Sequence, residues 1–331
     1  MRPADSRVYY LIVIIVLCCL GLTSCSDADV PSSQPIKMAA NIQTDTNSST
    51  ARTLTMAIIF ATADPVYKQV TKSAKAAASK AGIQLIVKAP NEANLEQQIR
   101  IMENLIKQKV DGIAISPVDS EAMTPYIDKA VEAGIKVLCF DNDAPHSKRL
   151  TYIGIDNYEA GRRIAEYVDN LLGGQGMVIA ETGMIGFHNI RQRVAGFKDF
   201  LATSSGVQLL ELRTDGDHAD KSTADIEEMI EAHPHFDAFV GFDSQASSSA
   251  ILVWKAKGLR QFAVTFNNTP SILSSIRNDQ ITATIDQSED SWGHIILQQL
   301  TAACSGQALP VNNRLNVKIL NRDNWNTAGG K

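Results

Sequence analysis

The 331-residue chain is poor in cysteine and in aromatic residues (6%), and it has no block of basic charge. Each shortage excludes something. With 31 Lys and Arg spread against 36 Asp and Glu, no surface is built to displace the counterions of a nucleic acid. Ordinary hydrophobic (44%) and charged (20%) fractions exclude a disordered or collagen-like chain, and the long apolar runs of a multi-span membrane protein are missing. Of five cysteines, Cys18, Cys19 and Cys25 fall in the first 25 residues, so a disulfide scaffold is excluded too. Cys139, inside the apolar run Ile135–Phe140, reads as a small buried thiol, and its pairing with Cys304 stays open.

What is present begins with an address. Arg2 and Arg7 precede the short apolar stretch Tyr9–Leu20, and Leu22-Thr23-Ser24-Cys25 follows. A basic start, a short apolar core and a cysteine after two small residues resemble a bacterial lipobox, with an ordinary signal peptide or an uncleaved anchor as alternatives. The expectation is a signal over residues 1–24, lipid on Cys25, and a flexible tether through residue 53. That tether, rich in Ser, Thr, Asn, Asp and Pro, has a reach of roughly 30 Å.

From Leu54 the chain alternates short apolar runs with helical patterns. Strands are expected at Leu54–Ala61, Gln84–Lys88, Asp111–Ser116, Ile135–Phe140 and Thr151–Ile155. A second series follows at Gly176–Glu181, Val207–Arg213, Phe236–Phe242, Gln261–Phe266 and Ile281–Ile285. Most are continuous apolar runs, as parallel strands covered on both faces require. Asn94–Lys109 puts Leu95, Ile99, Met102, Leu105 and Ile106 on one helix face. Gly82, Gly134, Gly206 and Gly258 stand at helix-to-strand joints, where a left-handed residue closes a helix. Two sets of about five βα units predict an α/β protein of two doubly wound parallel-sheet lobes, with a ligand cleft between them.

Such sheets bind ligands outside the carboxyl ends of their strands. Asp64 and Tyr67, then Asp141, Asn142 and Asp143, stand there in the first series; Asp243, Asn267, Asn268, Asp286 and Gln287 stand there in the second. Any one of these side chains could simply cap a helix. Their recurrence at equivalent strand ends points instead to hydrogen bonding with a neutral polyol, whose C–H face Tyr67 would cover. Arg193 could add charge-assisted donors or lie solvated on its helix.

Ala57–Tyr67, Asp111–Pro117, Asp141, Asp156–Gly161, Arg193–Phe197 and Thr284–Gln287 together resemble the ribose-type periplasmic sugar-binding proteins, and the resemblance runs from Leu54 to the C-terminus. It implies an N-terminal lobe of residues 54–156 plus 288–313, a C-terminal lobe of 157–287 plus 314–325, and a tail of 326–331. Three crossovers would join the lobes near Ile155–Asn157, Gln287–Ser288 and Asn312–Leu315. The ligand set it implies is Asp64, Tyr67, Asp141, Asn142, Arg193, His218, Asp243, Asn267 and Gln287. Val66, Asn142 and His218 depart from the family pattern, and Asp243 and Asn267 look like an exchange of its usual Asn and Asp. The resemblance also implies an exported monomer in the periplasm or at the cell surface, without metal or cofactor. It would hand a monosaccharide or polyol to an ABC importer permease or, alternatively, present its closed form to a membrane histidine kinase or chemoreceptor.

Enzymatic readings find little. Ala61-Thr62-Ala63-Asp64-Pro65 after the first strand is no phosphate loop, and Gly173-Gly174-Gln175-Gly176 precedes a strand instead of opening a helix. No Gly-x-Ser-x-Gly elbow occurs, His188 and His294 have no evident nucleophile, and His233 and His235 around Pro234 read as a turn before a metal site.

Overall fold

The computed structural model describes residues 52–64 and 66–330. The expected signal, Cys25 and nearly all of the tether lie outside the described residues, as does Pro65.

In chain order the first half runs β1 (Thr55–Ile59), α1 (Tyr67–Ala81), β2 (Gln84–Lys88), α2 (Leu95–Gln108), β3 (Gly112–Ile115), α3 (Ser120–Glu132), β4 (Lys136–Phe140) and β5 (Tyr152–Gly154). The second continues with α4 (Asn157–Leu172), β6 (Gln175–Thr182), α5 (His188–Ser204), β7 (Gly206–Thr214), α6 (Ala219–Ala232) and β8 (Ala238–Gly241). Then come α7 (Ser244–Lys257), β9 (Phe262–Phe266), α8 (Pro270–Arg277), β10 (Ala283–Asp286), α9 (Glu289–Cys304), β11 (Asn312–Arg314) and β12 (Lys318–Asn321).

These strands form two sheets. The first has the order β2-β1-β3-β4-β5-β11, parallel throughout; the second has β7-β6-β8-β9-β10-β12, parallel except for β12. Both sheets reverse direction of strand order at equivalent points, between β1 and β3 and between β6 and β8, which is where a doubly wound sheet opens a crevice. Alternate residues of each central strand feed opposite faces. Met56 and Ile58 pack under α1 and α9, whereas Ala57 and Ile59 pack under α2 and α3. Val178 and Ala180 likewise meet α4 and α5, and Ile179 meets α6, α7 and α8. Continuous apolar runs are needed because both faces are covered.

The sequence reading anticipates ten strands, and the described residues form twelve. β11 and β12 were missed because they are three and four residues long, largely polar, and sit at sheet edges where one apolar face is enough. Gly206 also differs from expectation. It is absent from the left-handed residues that include Gly82, Gly134 and Gly258; it starts β7, where a Cβ would come within 2.6 Å of Gly174 O. Space, not backbone freedom, requires glycine there. Cys139 and Cys304 are both free thiols, and burial pushes the Cys139 thiol up.

The chain passes between sheets three times: from β5 to α4, from β10 to α9, and from β11 to β12. Leu315, in the last passage, packs against the cores of both sheets.

Candidate functional site

The carboxyl ends of the two sheets face a cavity of about 70 Å³ whose walls come from both halves. Asp64, Tyr67, Asp141, Arg193, Asp243, Asn267 and Gln287 line it; Asn142 and His218 do not.

Asp141 follows β4 and Asn267 follows β9, and both adopt left-handed backbone, with φ of 60° and 76°. The strand hydrogen bonding continues into them: Asp141 N donates to Ile153 O (3.0 Å), and Asn267 N donates to Ile285 O (2.8 Å). A non-glycine residue held there costs about 1–3 kcal/mol unless its surroundings fix it, and such residues gather at ligand clamps. Tyr67 Oη donates to Asp141 Oδ2 (2.6 Å), and Asn189 Nδ2 donates to Asp141 Oδ1 (3.1 Å). The Tyr67 ring stacks on Phe60 at 4.3 Å between centroids. Burial first, and then the Asp141 charge, hold the Tyr67 hydroxyl well above its ordinary range, so it stays a donor.

On the other wall a chain of side chains begins at Arg193, which is buried. Its Nε donates to Asn157 Oδ1 (2.8 Å), one terminal nitrogen to Phe242 O (2.9 Å) and the other to Gln287 Oε1 (3.0 Å). Gln287 Nε2 in turn donates to Asn267 Oδ1 (2.7 Å). The guanidinium lies 4.3 Å from the Phe266 ring centroid, and burial lowers its pKa against the opposing pull of Asp141 and Asp243. Among the described residues nothing accepts from Asn267 Nδ2, so this amide is available to the cavity.

Two other carboxylates are more heavily engaged. Asp64 Oδ1 accepts from Val66 N (2.7 Å) and Oδ2 from Ser244 Oγ; burial raises its pKa. Asp243 caps α7 through Ala246 N (2.9 Å) and also accepts from Thr182 Oγ1 (3.0 Å) and Gly183 N. Helix capping therefore accounts for much of Asp243.

Asn142 turns away: its amide donates to Pro117 O and its Oδ1 accepts from Asn189 N (3.2 Å). His218 is exposed at the N-terminal end of α6, and its neighbour Asp217 lines the cavity instead, with φ of 68°. His233 ends α6 and meets Glu211 at 2.9 Å. Among the described residues no group of three His, Cys, Asp or Glu could hold a metal.

The sequence reading missed Asn189, Phe187, Ser244, Glu289 and Trp292, all in the cavity wall. Asn189 had a signal: it lies four residues before Arg193, one helix turn along the same face. Glu289 follows Gln287 by two residues. Phe187 adds an aromatic to the same cavity that Val66 lines.

The comparisons agree with this architecture. Residues 56–308 match the family described as a periplasmic binding protein domain. A D-ribose/D-allose-binding protein of Pseudomonas aeruginosa is 31% identical over 60% of this chain and 64% of its own length. The ribose import binding protein of Bacillus subtilis is 24% identical over 86% of this chain and 89% of its own. A solute-binding protein of an ABC transporter from Burkholderia graminis, solved with D-arabinose, is 30% identical, has a TM-score of 0.79, and covers 82% of this chain and 96% of its own. Two parallel sheets with one strand order, a cavity at their facing carboxyl ends and a family match over most of the chain lead to one conclusion: the chain belongs to the ribose-type periplasmic binding proteins.

Proposed function

We propose that this protein captures a monosaccharide or related small polyol between two lobes and delivers it to an ABC importer, without chemistry on the ligand. The observation that carries this reading is the pair Asp141 and Asn267, left-handed residues at equivalent strand ends that face one cavity from opposite walls. Carboxylate and carboxamide groups accept from, or donate to, adjacent hydroxyls, while Tyr67, Phe187 and Trp292 offer apolar faces to ring C–H groups. The cavity is small, about 70 Å³, and enclosed between two walls, which supports a small ligand. The names of the relatives (ribose, allose, arabinose) support the same class of ligand.

The proposed ligand set is Asp64, Tyr67, Asp141, Arg193, Asp243, Asn267 and Gln287, joined by Asn189. The lobes are residues 54–156 plus 288–313 and 157–287 plus 314–325, and the protein works as an exported monomer tied to a membrane by lipid on Cys25. A thermal-shift screen against pentoses, hexoses and polyols tests the function. A true ligand at a hundred times its Kd adds about 2.7 kcal/mol of stability. A screen in which no sugar or polyol raises the melting temperature rejects the reading. The anchor has its own test: Cys25→Ala should abolish metabolic labelling with palmitate, and labelling that persists in the variant rejects it.

A further inference from the structure

Among the described residues that line the cavity, charge does not balance. Asp64, Asp141, Asp217, Asp243 and Glu289 bring five carboxyls, and Arg193 is the one cation. Glu289 differs from the rest. It is fully buried in the first turn of α9, it lines the cavity, and among the described residues neither carboxyl oxygen has a hydrogen-bond partner. The backbone N–H groups of Gln287 and Glu289 lie near enough to favour its charge without reaching bonding geometry, and Arg193 also faces it. Asp286 and Asp141 oppose that charge. Burial is the largest effect, and the carboxyl is pushed up to about 8.

A buried acid with both oxygens open is a poor neighbour for a neutral polyol, for which an amide or a hydroxyl would serve at lower desolvation cost. It suits a donor that carries charge. An ammonium has three donors and no acceptor, and its hydrogen bonds to a carboxylate are about twice as strong as neutral ones.

We propose that the ligand of this cleft is a polyol bearing a protonated amine, an amino sugar or an aminocyclitol, with its ammonium seated on Glu289. This rests on the reading of the cleft as a polyol site, whose hydroxyls remain with Asp141, Asn267 and Arg193. In the empty protein at pH 7 Glu289 holds a proton. The arriving ammonium makes the carboxylate the better partner, so that proton leaves to solvent and one proton is released for each amine bound.

The experiment is calorimetric titration of the full chain at pH 7 in two buffers of different ionisation enthalpy. The probes are D-glucosamine, D-galactosamine and an aminodeoxyinositol, each beside its hydroxyl counterpart: D-glucose, D-galactose and myo-inositol. At least one amine should bind tenfold or more tighter than its counterpart, with about one proton released. Glu289→Gln should abolish that release and reduce the amine preference by about tenfold or more, and a melting curve of the empty variant should show it folded. Counterparts that bind as tightly as the amines overturn the inference and leave sugar capture standing. So does amine binding that releases no proton and ignores Glu289→Gln. Silence from both series overturns the inference, and the pentoses and other polyols of the thermal-shift screen then decide sugar capture.

Discussion

Asp141 and Asn267 show how a strand end becomes a binding position. At φ of 60° and 76° the side chains are thrown off the strand line toward the cavity, and asparagine and aspartate tolerate this conformation better than most residues. The choice of variant matters for that reason. Asp141→Asn keeps the backbone at ease but removes the charge that receives Tyr67 and Asn189. Its affinity for sugar should fall about ten- to a hundredfold, with little change in the melting temperature of the empty protein. Asp141→Ala should weaken binding similarly and also strain the backbone by about 1 kcal/mol, which lowers the melting temperature by about 2–4 °C. Titrations and melting curves on the two variants check this; affinity that survives both would mean that Asp141 only shapes its turn. Glu181 and Asp215 are also buried, and among the described residues Glu181 Oε1 and Asp215 Oδ2 have no hydrogen-bond partner. Burial, and then each other's charge for Glu181, raises both carboxyls above their ordinary range. The folded state therefore holds protons that the unfolded chain releases above about pH 4.5. Their contribution is intact below that pH and is lost as pH rises through the raised folded values. Glu181→Gln should raise the melting temperature at pH 8 by a few degrees and leave it nearly unchanged at pH 5; parallel melting curves across that range would refute it.

At the scale of elements, two glycines fix the helix that carries Arg193. A Cβ on Gly161 of α4 would lie 2.0 Å from Arg193 O, and one on Gly196 of α5 would lie 2.0 Å from Tyr158 O. The two helices thus touch backbone to backbone at reciprocal points, and Arg193 is held against Asn157, the first residue of α4. Both glycines lie in segments that carried the family resemblance, but their reason is visible only in the packing. Gly196→Ala should push α5 outward, cost about 1–3 kcal/mol of stability, and weaken sugar binding through the displaced guanidinium. Denaturant unfolding and titration of the same variant check it, and unchanged affinity would separate the helix contact from the site. Capping signals are local: Asn94, which the sequence reading placed inside the helical segment, caps α2 through Gln97 N at 2.9 Å. The polar edge strands β11 and β12 carry no such signal.

Across the whole molecule, direct hydrogen bonds link the two halves at the cleft. Ser244 Oγ donates to Asp64 Oδ2, and Asn189 bridges to both Asp141 and Asn142. The first and third chain passages meet where Arg314 pairs with Asp156, and in the second Ser288 takes left-handed backbone with φ of 57°. This arrangement suits hinge closure in which a ligand adds contacts to both walls at once. Small-angle scattering with a saturating sugar should show a smaller radius of gyration than the empty protein. An unchanged radius with binding proven by titration would reject the clamp.

The amino-acid sequence by itself determined the ten apolar strands, the alternation with helices and the list of polar residues at strand ends, because those depend on periods of two and 3.6 and on caps within a few residues. Tertiary structure alone decided which of those polar residues face the cavity. In the sequence Asp141, Asn142 and Asp243 look alike, yet one faces the cavity at left-handed backbone, one turns to Pro117 O, and one lines the cavity while it caps α7. The deciding partners are remote: Tyr67 and Asp141 are 74 residues apart, and Arg193 and Gln287 are 94 apart. Glu289 escaped notice for the same reason. Asp141 and Arg193, the charges that act with it, come from remote parts of the chain, and no local pattern records a missing hydrogen bond.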